Sequence, residues 1–240
     1  MFTRSARWYD NIYSFKNHAR EASLVHELIR AHGRSPGARL LDVGCGTGEH
    51  IRYLRSRYEV EGLDLDAAML EVARSKHPDL VFHEASMLDF DLGSRFDAVV
   101  SLFSSVGYLK TADRLRRSVA NMARHLVAGG VLLVEPWLAP ESFQPGKLGS
   151  AFVDDPDLKI ARFSVCEVED RISVMDFHYL VATPAGVETF TERHELALFT
   201  REEYLAAFEA CGMEPVFDPE GPTGRGLYLG VRSPAAARYG

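Results

Sequence analysis

Residues 40–48 read Leu40-Leu41-Asp42-Val43-Gly44-Cys45-Gly46-Thr47-Gly48, and this order predicts a buried strand, a glycine turn and the start of a helix. Leu40, Leu41 and Val43 supply the apolar strand end. Gly44, Gly46 and Gly48 remove side chains from the turn, so a ligand can approach bare backbone beside a helix N-terminus. The spacing is G-x-G-x-G, with Glu49 where a dinucleotide fingerprint would place its third glycine. No diphosphate feature accompanies the turn, which argues against a nicotinamide or flavin enzyme.

Two acids narrow the ligand. Asp42 precedes the first glycine, and Asp64 ends the next strand, 18 residues after Gly46. A carboxylate at that strand tip can accept from both hydroxyls of a ribose. The alternative is a solvated strand-end acid or helix cap, with Asp66 close by. Asp42 either holds the loop or reaches the amino-acid end of the ligand. Together the two acids and the glycines point to S-adenosylmethionine, which carries no phosphate. After the third strand, Ser86 and Met87 stand where an adenine edge is held. Met87 can pack its thioether on the ring or simply fill core.

The pattern outward from the turn is alternating strand and helix. Strands are expected at 38–43, 58–63, 80–83, 96–102 and 131–134, with helices at 17–32, 47–56, 66–76 and 112–126. This is the signature of an α/β doubly wound parallel sheet, Rossmann-like in class. Three β-rich runs at 159–168, 171–182 and 187–199 then read as an inserted antiparallel lobe, after which the core resumes with a helix at 200–211 and strands near 213–218 and 226–232. The expected division is a binding core of 1–136 and 200–233, with 137–199 as a substrate or dimer lobe. The tail from Pro234 reads as frayed.

Composition sets bounds on partners. The 240 residues carry a formal net charge of -7, which offers no basic face for nucleic acid. Three scattered cysteines suggest a reducing cytoplasm. Neither a leader's apolar segment nor a run long enough to span a membrane is visible. The nine histidines show no metal-ligand spacing with matching carboxylates, so no metal is expected. His178 and His194 lie on neighbouring β runs, as a site wall or a structural cross-strand pair. Cys45 reads as a small packing residue of the cofactor loop.

Three later motifs are more specific: Leu102-Phe103-Ser104-Ser105-Val106-Gly107-Tyr108-Leu109, Val134-Glu135-Pro136-Trp137 and Gly221-Pro222-Thr223-Gly224-Arg225-Gly226-Leu227. With them the chain, from about Tyr9 to Val231, resembles the N,N-dimethyltransferases of nucleotide-linked (dTDP) amino sugars, class I methyltransferases that finish desosamine- and mycaminose-type sugars for bacterial macrolides. The resemblance implies S-adenosylmethionine as cofactor, a nucleotide-linked amino sugar as substrate, transfer of two methyl groups and a homodimer. It implies that Tyr9 contacts the methionine end of the cofactor, that Phe103 and Ser104 flank cofactor and substrate, and that Tyr108 stands near the reacting amine. Tyr13, Trp137 and Arg162 line the sugar pocket, and Arg225 binds the diphosphate.

The chain departs from the family at Ser86, where an acid is usual, at His18, where Tyr is common, at Phe2, which replaces a Tyr, and in a shorter segment after Tyr13. From the residues alone, Arg225 between two glycines is either a diphosphate receptor or a surface arginine. Two other functions fit the glycine loop: methylation of another small amine or hydroxyl, and non-catalytic binding of S-adenosylmethionine.

Overall fold

A computed structural model describes residues 4–233; Phe2 and the tail from Pro234 lie outside the described residues. The central sheet contains β1 (Arg39–Val43), β2 (Glu59–Asp64), β3 (Val81–Glu84), β4 (Phe96–Ser101), β5 (Leu126–Val134), β10 (Val216–Asp218) and β11 (Leu227–Val231). Its order is β10-β11-β5-β4-β1-β2-β3. Strands β1 to β5 run parallel, and β11 pairs antiparallel with β5. The chain order reverses at β1, between β2 and β4, so the crevice at its C-terminal end is where a doubly wound sheet binds ligands.

Alternation along β1 explains the layering. Leu41 and Val43 point to one face, packing with α5 (Ala112–Arg124) and α6 (Arg201–Glu209). Leu40 points to the other, against α2 (His18–His32), α3 (Glu49–Leu54) and α4 (Ala67–Lys76). Both faces are covered, which is why these strands read as continuous apolar runs. The helix starts follow local chemistry: Asn17, Asp66 and Thr111 each cap through a side-chain oxygen, and Thr200 forms a capping box with Glu203.

The second sheet is an antiparallel meander of β6 (Leu148–Asp155), β7 (Leu158–Glu169), β8 (Ile172–Thr183) and β9 (Gly186–Ala197). Three of these strands were expected. β6 was not, because Gly149, Ser150 and Asp154–Asp155 dilute its β pattern. The short α1 (Tyr9–Ile12) and the 3-10 turns at 6–8 and 105–109 were also missed. The inner face of the meander packs Met175, Phe177, Tyr179 and Phe190 against Trp8 and Ile12 of the N-terminal segment. Glu192 fixes that segment by accepting from the Arg4 and Ser5 amides at 2.7 and 3.1 Å.

Leu132 sits fully buried at the centre of β5. Leu132→Ala should lower unfolding free energy by about 3 kcal/mol in urea denaturation, from lost burial plus the cavity left between the sheet and the α5–α6 layer.

Candidate active site

Beyond the C-terminal ends of β1, β2 and β4 lies a cavity of about 470 Å³. It is bounded by the glycine turn, by the segment after β3, by the 3-10 turn after β4, by the N-terminal segment and by the inner face of the meander. Of the residues expected from sequence to bind cofactor or substrate or to act in catalysis, all but Gly48 line it. Gly48 instead caps α3 in a left-handed conformation (φ 78°), and a Cβ there would stand 3.1 Å from the His77 ring. Its requirement is conformational.

The turn is anchored to β2. The amides of Gly44 and Cys45 both donate to the Leu63 carbonyl, at 2.7 and 3.0 Å. Asp64 accepts from Gly46 N–H at 2.7 Å with one oxygen and from Asp66 N–H at 2.9 Å with the other. Gly44 has φ 77°, and a Cβ on it would lie 2.5 Å from that of Ser105. Cys45 is buried, with its thiol pushed well up by burial, so it acts as packing rather than as a nucleophile. Asp42 is buried, and neither carboxylate oxygen has a hydrogen-bond partner among the described residues. Burial raises its pKa to about 6.

Ser86 accepts from Leu88 N–H at 3.2 Å, which leaves its hydroxyl proton for a ligand. The Met87 carbonyl accepts from Asn121 at 3.3 Å. Tyr9 is tucked against Tyr13 with ring centroids 4.6 Å apart, and burial holds its hydroxyl protonated. Asp10 ties this segment to the glycine turn, accepting from Thr47 Oγ1 at 2.5 Å and from Lys76 Nζ at 2.6 Å.

The far end of the cavity is aromatic and cationic. Tyr13 meets Phe103 edge-on at 5.4 Å and accepts from Arg162 Nη1 at 3.0 Å. Arg162, from β7, also lies 4.4 Å over Phe177. The Trp137 indole N–H is committed to Ser173 Oγ at 2.9 Å, which fixes the ring. Arg225 is no surface residue: its guanidinium lies 4.8 Å from the Trp137 centroid and 5.2 Å from that of Phe103, and it donates to Ser104 Oγ at 3.0 Å. Burial pulls its pKa below the ordinary guanidinium range even though Glu135 opposes the shift.

Several functional candidates escaped the sequence reading. Glu135 lies within a quoted motif but was given no role. It accepts from Phe103 N–H at 2.6 Å and from the Thr223 hydroxyl, joining the two loops that carry Phe103, Ser104 and Arg225. Phe103 and Ser104 are both left-handed, at φ 49° and 66°, a costly conformation for non-glycine residues that this clamp sustains.

The histidine readings also change. His18, Glu21 and His50 come together with donor atoms within 4.8 Å, although no spacing in the sequence suggested it. That cluster already contains a cation: Lys16 Nζ lies 3.1 Å from the Glu21 oxygen that also bonds His50. His178 and His194 do not face each other. His178 pairs with Thr191 on the exposed face, whereas His194 is buried on the cavity face, 2.7 Å from the Tyr108 hydroxyl.

Comparison with known proteins agrees with this geometry. The family described as Methyltransferase domain matches residues 40–130. The dTDP-3-amino-3,6-dideoxy-alpha-D-glucopyranose N,N-dimethyltransferase of Streptomyces fradiae is 42% identical over 230 residues, which cover 94% of this chain and 90% of that one. The crystal structure of Streptomyces venezuelae DesVI superposes with a TM-score of 0.88 at 40% identity, covering 94% of this chain and 98% of that one. An S-adenosylmethionine-bound amino pentose methyltransferase from Micromonospora echinaspora, involved in calicheamicin biosynthesis, superposes at 0.82 with 43% identity and covers 91% and 92%. With its glycine turn, its cavity and relatives matched over nearly their whole length, the chain belongs to the dTDP-amino-sugar N,N-dimethyltransferase family and is an enzyme that uses S-adenosylmethionine.

Proposed function

We propose that this enzyme methylates the amine of a dTDP-linked amino deoxysugar, twice in succession, in bacterial antibiotic biosynthesis. The observation that carries the substrate class is Arg225. It is a half-buried guanidinium between Phe103 and Trp137 on the cavity wall, and burial disfavours its charge more than the nearby acids favour it. Such a group is a receptor for a diphosphate, which a guanidinium can hold through paired hydrogen bonds.

The residues of the other end fit the cofactor. Asp42 offers a buried, unpartnered carboxylate, which an ammonium group satisfies. Gly44, Cys45 and Gly46, whose amides are committed to β2, give a bare turn against which the methionine end can lie, and Gly48 sets the helix start beside it. Asp64 retains acceptor capacity on both oxygens for ribose hydroxyls. Ser86 and Met87 hold the adenine, and Tyr9 closes over the methionine end.

S-adenosylmethionine supplies an activated methyl group when bound, so the chain's own task is alignment. Phe103 and Ser104 separate the two ligands. Tyr13, Trp137 and Arg162 wall the sugar, and Tyr108 orients the amine. Residues 137–199 act as a substrate and dimer lobe on the core of 1–136 and 200–233. The outer face of the meander supports a homodimer: Leu148, Phe152, Phe163, Val165, Leu180 and Val187 are exposed on it, with Leu148 76% accessible. Three free cysteines support a cytoplasmic location. No helix among the described residues is long and apolar enough to cross a membrane.

Mass spectrometry should show two successive 14-Da additions (roughly one methylene each) to a dTDP-3-amino sugar and none to the free sugar, and Arg225→Ala should raise its KM about a hundredfold. Transfer to the free sugar with equal efficiency would exclude the diphosphate role.

The affinity for S-adenosylmethionine should depend on pH through Asp42. With its pKa at about 6, the free enzyme is charged at neutral pH, ready for an ammonium. Below that value a bound proton must leave on binding, so Kd should rise about tenfold per pH unit below about pH 6. Calorimetry of Asp42→Asn should show weaker binding without this slope.

Phe152→Asp and Phe163→Asp should each convert the sedimenting species from dimer to monomer, because a charge on this apolar face cannot be buried against a second copy.

A further inference from the structure

We propose that His194 is a positioning residue for methyl transfer: it turns the proton of the Tyr108 hydroxyl away from the ligand, so that the Tyr108 oxygen meets the substrate amine as an acceptor. The inference rests on the reading of Tyr108 as the residue at the amine, and deepens it. Tyr108 comes from the 3-10 turn after β4, and His194 from β9 of the other sheet. Their hydroxyl oxygen and Nδ1 are 2.7 Å apart, and both side chains line the cavity.

The direction of this hydrogen bond follows from acidity. Phenol is a stronger acid than neutral imidazole, and the imidazole nitrogen is a far stronger base than a phenol oxygen. The O–H···Nδ1 arrangement is therefore the stable one while the ring is neutral. Neutrality is secured by the surroundings. Burial, and to a lesser degree the Arg162 charge from β7, pushes the His194 pKa well down. Burial also holds Tyr108 protonated, and the nearby Tyr13, Tyr179, Asp64 and Glu192 act in the same sense. The Phe177 ring, 4.7 Å away, completes the pocket around the imidazole. A charged imidazolium would reverse the bond and turn the tyrosine proton into the cavity.

That direction matters to the chemistry. The amine nitrogen attacks with its lone pair, forming the N–C bond as the methyl's bond to sulfur breaks, and its extra proton then leaves to water. A tyrosine that donated to the nitrogen would occupy the lone pair needed for attack. A tyrosine that accepts grips an N–H and leaves the lone pair free. His194 neither stores a proton nor contacts the methyl group. Its effect passes through one hydroxyl.

The test is a mutant cycle with dTDP-3-amino-3,6-dideoxyglucose as probe. His194→Phe keeps a ring but no acceptor and should lower kcat about tenfold, with the KM for S-adenosylmethionine unchanged. His194→Asn, whose amide oxygen can accept in place of Nδ1, should restore kcat to within about threefold of wild type. In the Tyr108→Phe background His194→Phe should cost nothing more. His194→Leu replaces the Phe variant if the latter fails to give a native thermal melt. An equal loss in both backgrounds, or an Asn variant as slow as the Phe variant, would overturn the proposal. So would an acidic limb in the wild-type kcat–pH profile that disappears in His194→Asn, since that identifies a titrating base. Tyr108→Phe at wild-type speed would instead overturn the underlying reading of Tyr108.

Discussion

The bond on which the site depends is the one from Gly46 N–H to the Asp64 carboxylate, 2.7 Å long. Three glycines with φ between 54° and 78° have many conformations available in the unfolded chain, and the turn costs more backbone entropy than any other of its length. Its amides are anchored by β2: Leu63 accepts two of them and Asp64 a third. The same acid holds the start of α4 through Asp66. Once both oxygens carry a backbone N–H, the carboxylate has one orientation, and its remaining lone pairs are aimed before any ligand arrives.

Preorganisation extends to charge. Asp42 is a buried carboxylate without a hydrogen-bond partner among the described residues, raised from 3.8 to about 6. A raised native pKa means that the folded state binds more protons between those values, so stability falls as pH rises through the window. At neutral pH the ligand-free fold carries a cost of about 3 kcal/mol from this group. At the other end Arg225 is shifted in the sense expected of a desolvated cation. The cavity thus holds an under-compensated anion beside the glycine turn and an under-compensated cation beside Trp137. A ligand pair with an ammonium at one end and a diphosphate at the other relieves both, and that relief can be spent on affinity without ordering the protein further.

Much of the core was readable in the sequence because its signals are local and periodic. β1 and β4 are short, largely apolar runs, β2 and β3 alternate buried and more exposed residues, and α2 shows helical spacing between Asn17 and Gly33. β6 was not readable, since Gly149, Ser150 and the Asp154–Asp155 pair interrupt its apolar residues Leu148, Phe152 and Val153. The cavity residues on the glycine turn were legible because glycine spacing has a direct conformational meaning. Arg225, Trp137 and Tyr108 were found through motif resemblance. Glu135 was invisible as a functional residue, and His194 was read as a site wall or a pair with His178 without its true partner, for a different reason: they act across 32 and 86 residues of sequence respectively, through partners that only the packing of distant elements supplies. The meeting of Lys16, Glu21 and His50 is of the same kind.

Both layers build the cavity: the glycine turn belongs to the parallel sheet, whereas Arg162, Phe177 and His194 project from the meander. One segment fastens both. Residues 4–13 are held to the meander by Glu192, to the glycine turn and α4 by Asp10, and to the aromatic wall by Tyr13 and Arg162. Alignment of an amine with a methyl group tolerates errors well below the size of an atom. A cavity that draws Arg225, Trp137 and Tyr108 from loops of the parallel sheet and Arg162 from the meander therefore needs rigid connections between the layers, and this segment, the Tyr108–His194 bond and the Trp137–Ser173 bond supply them.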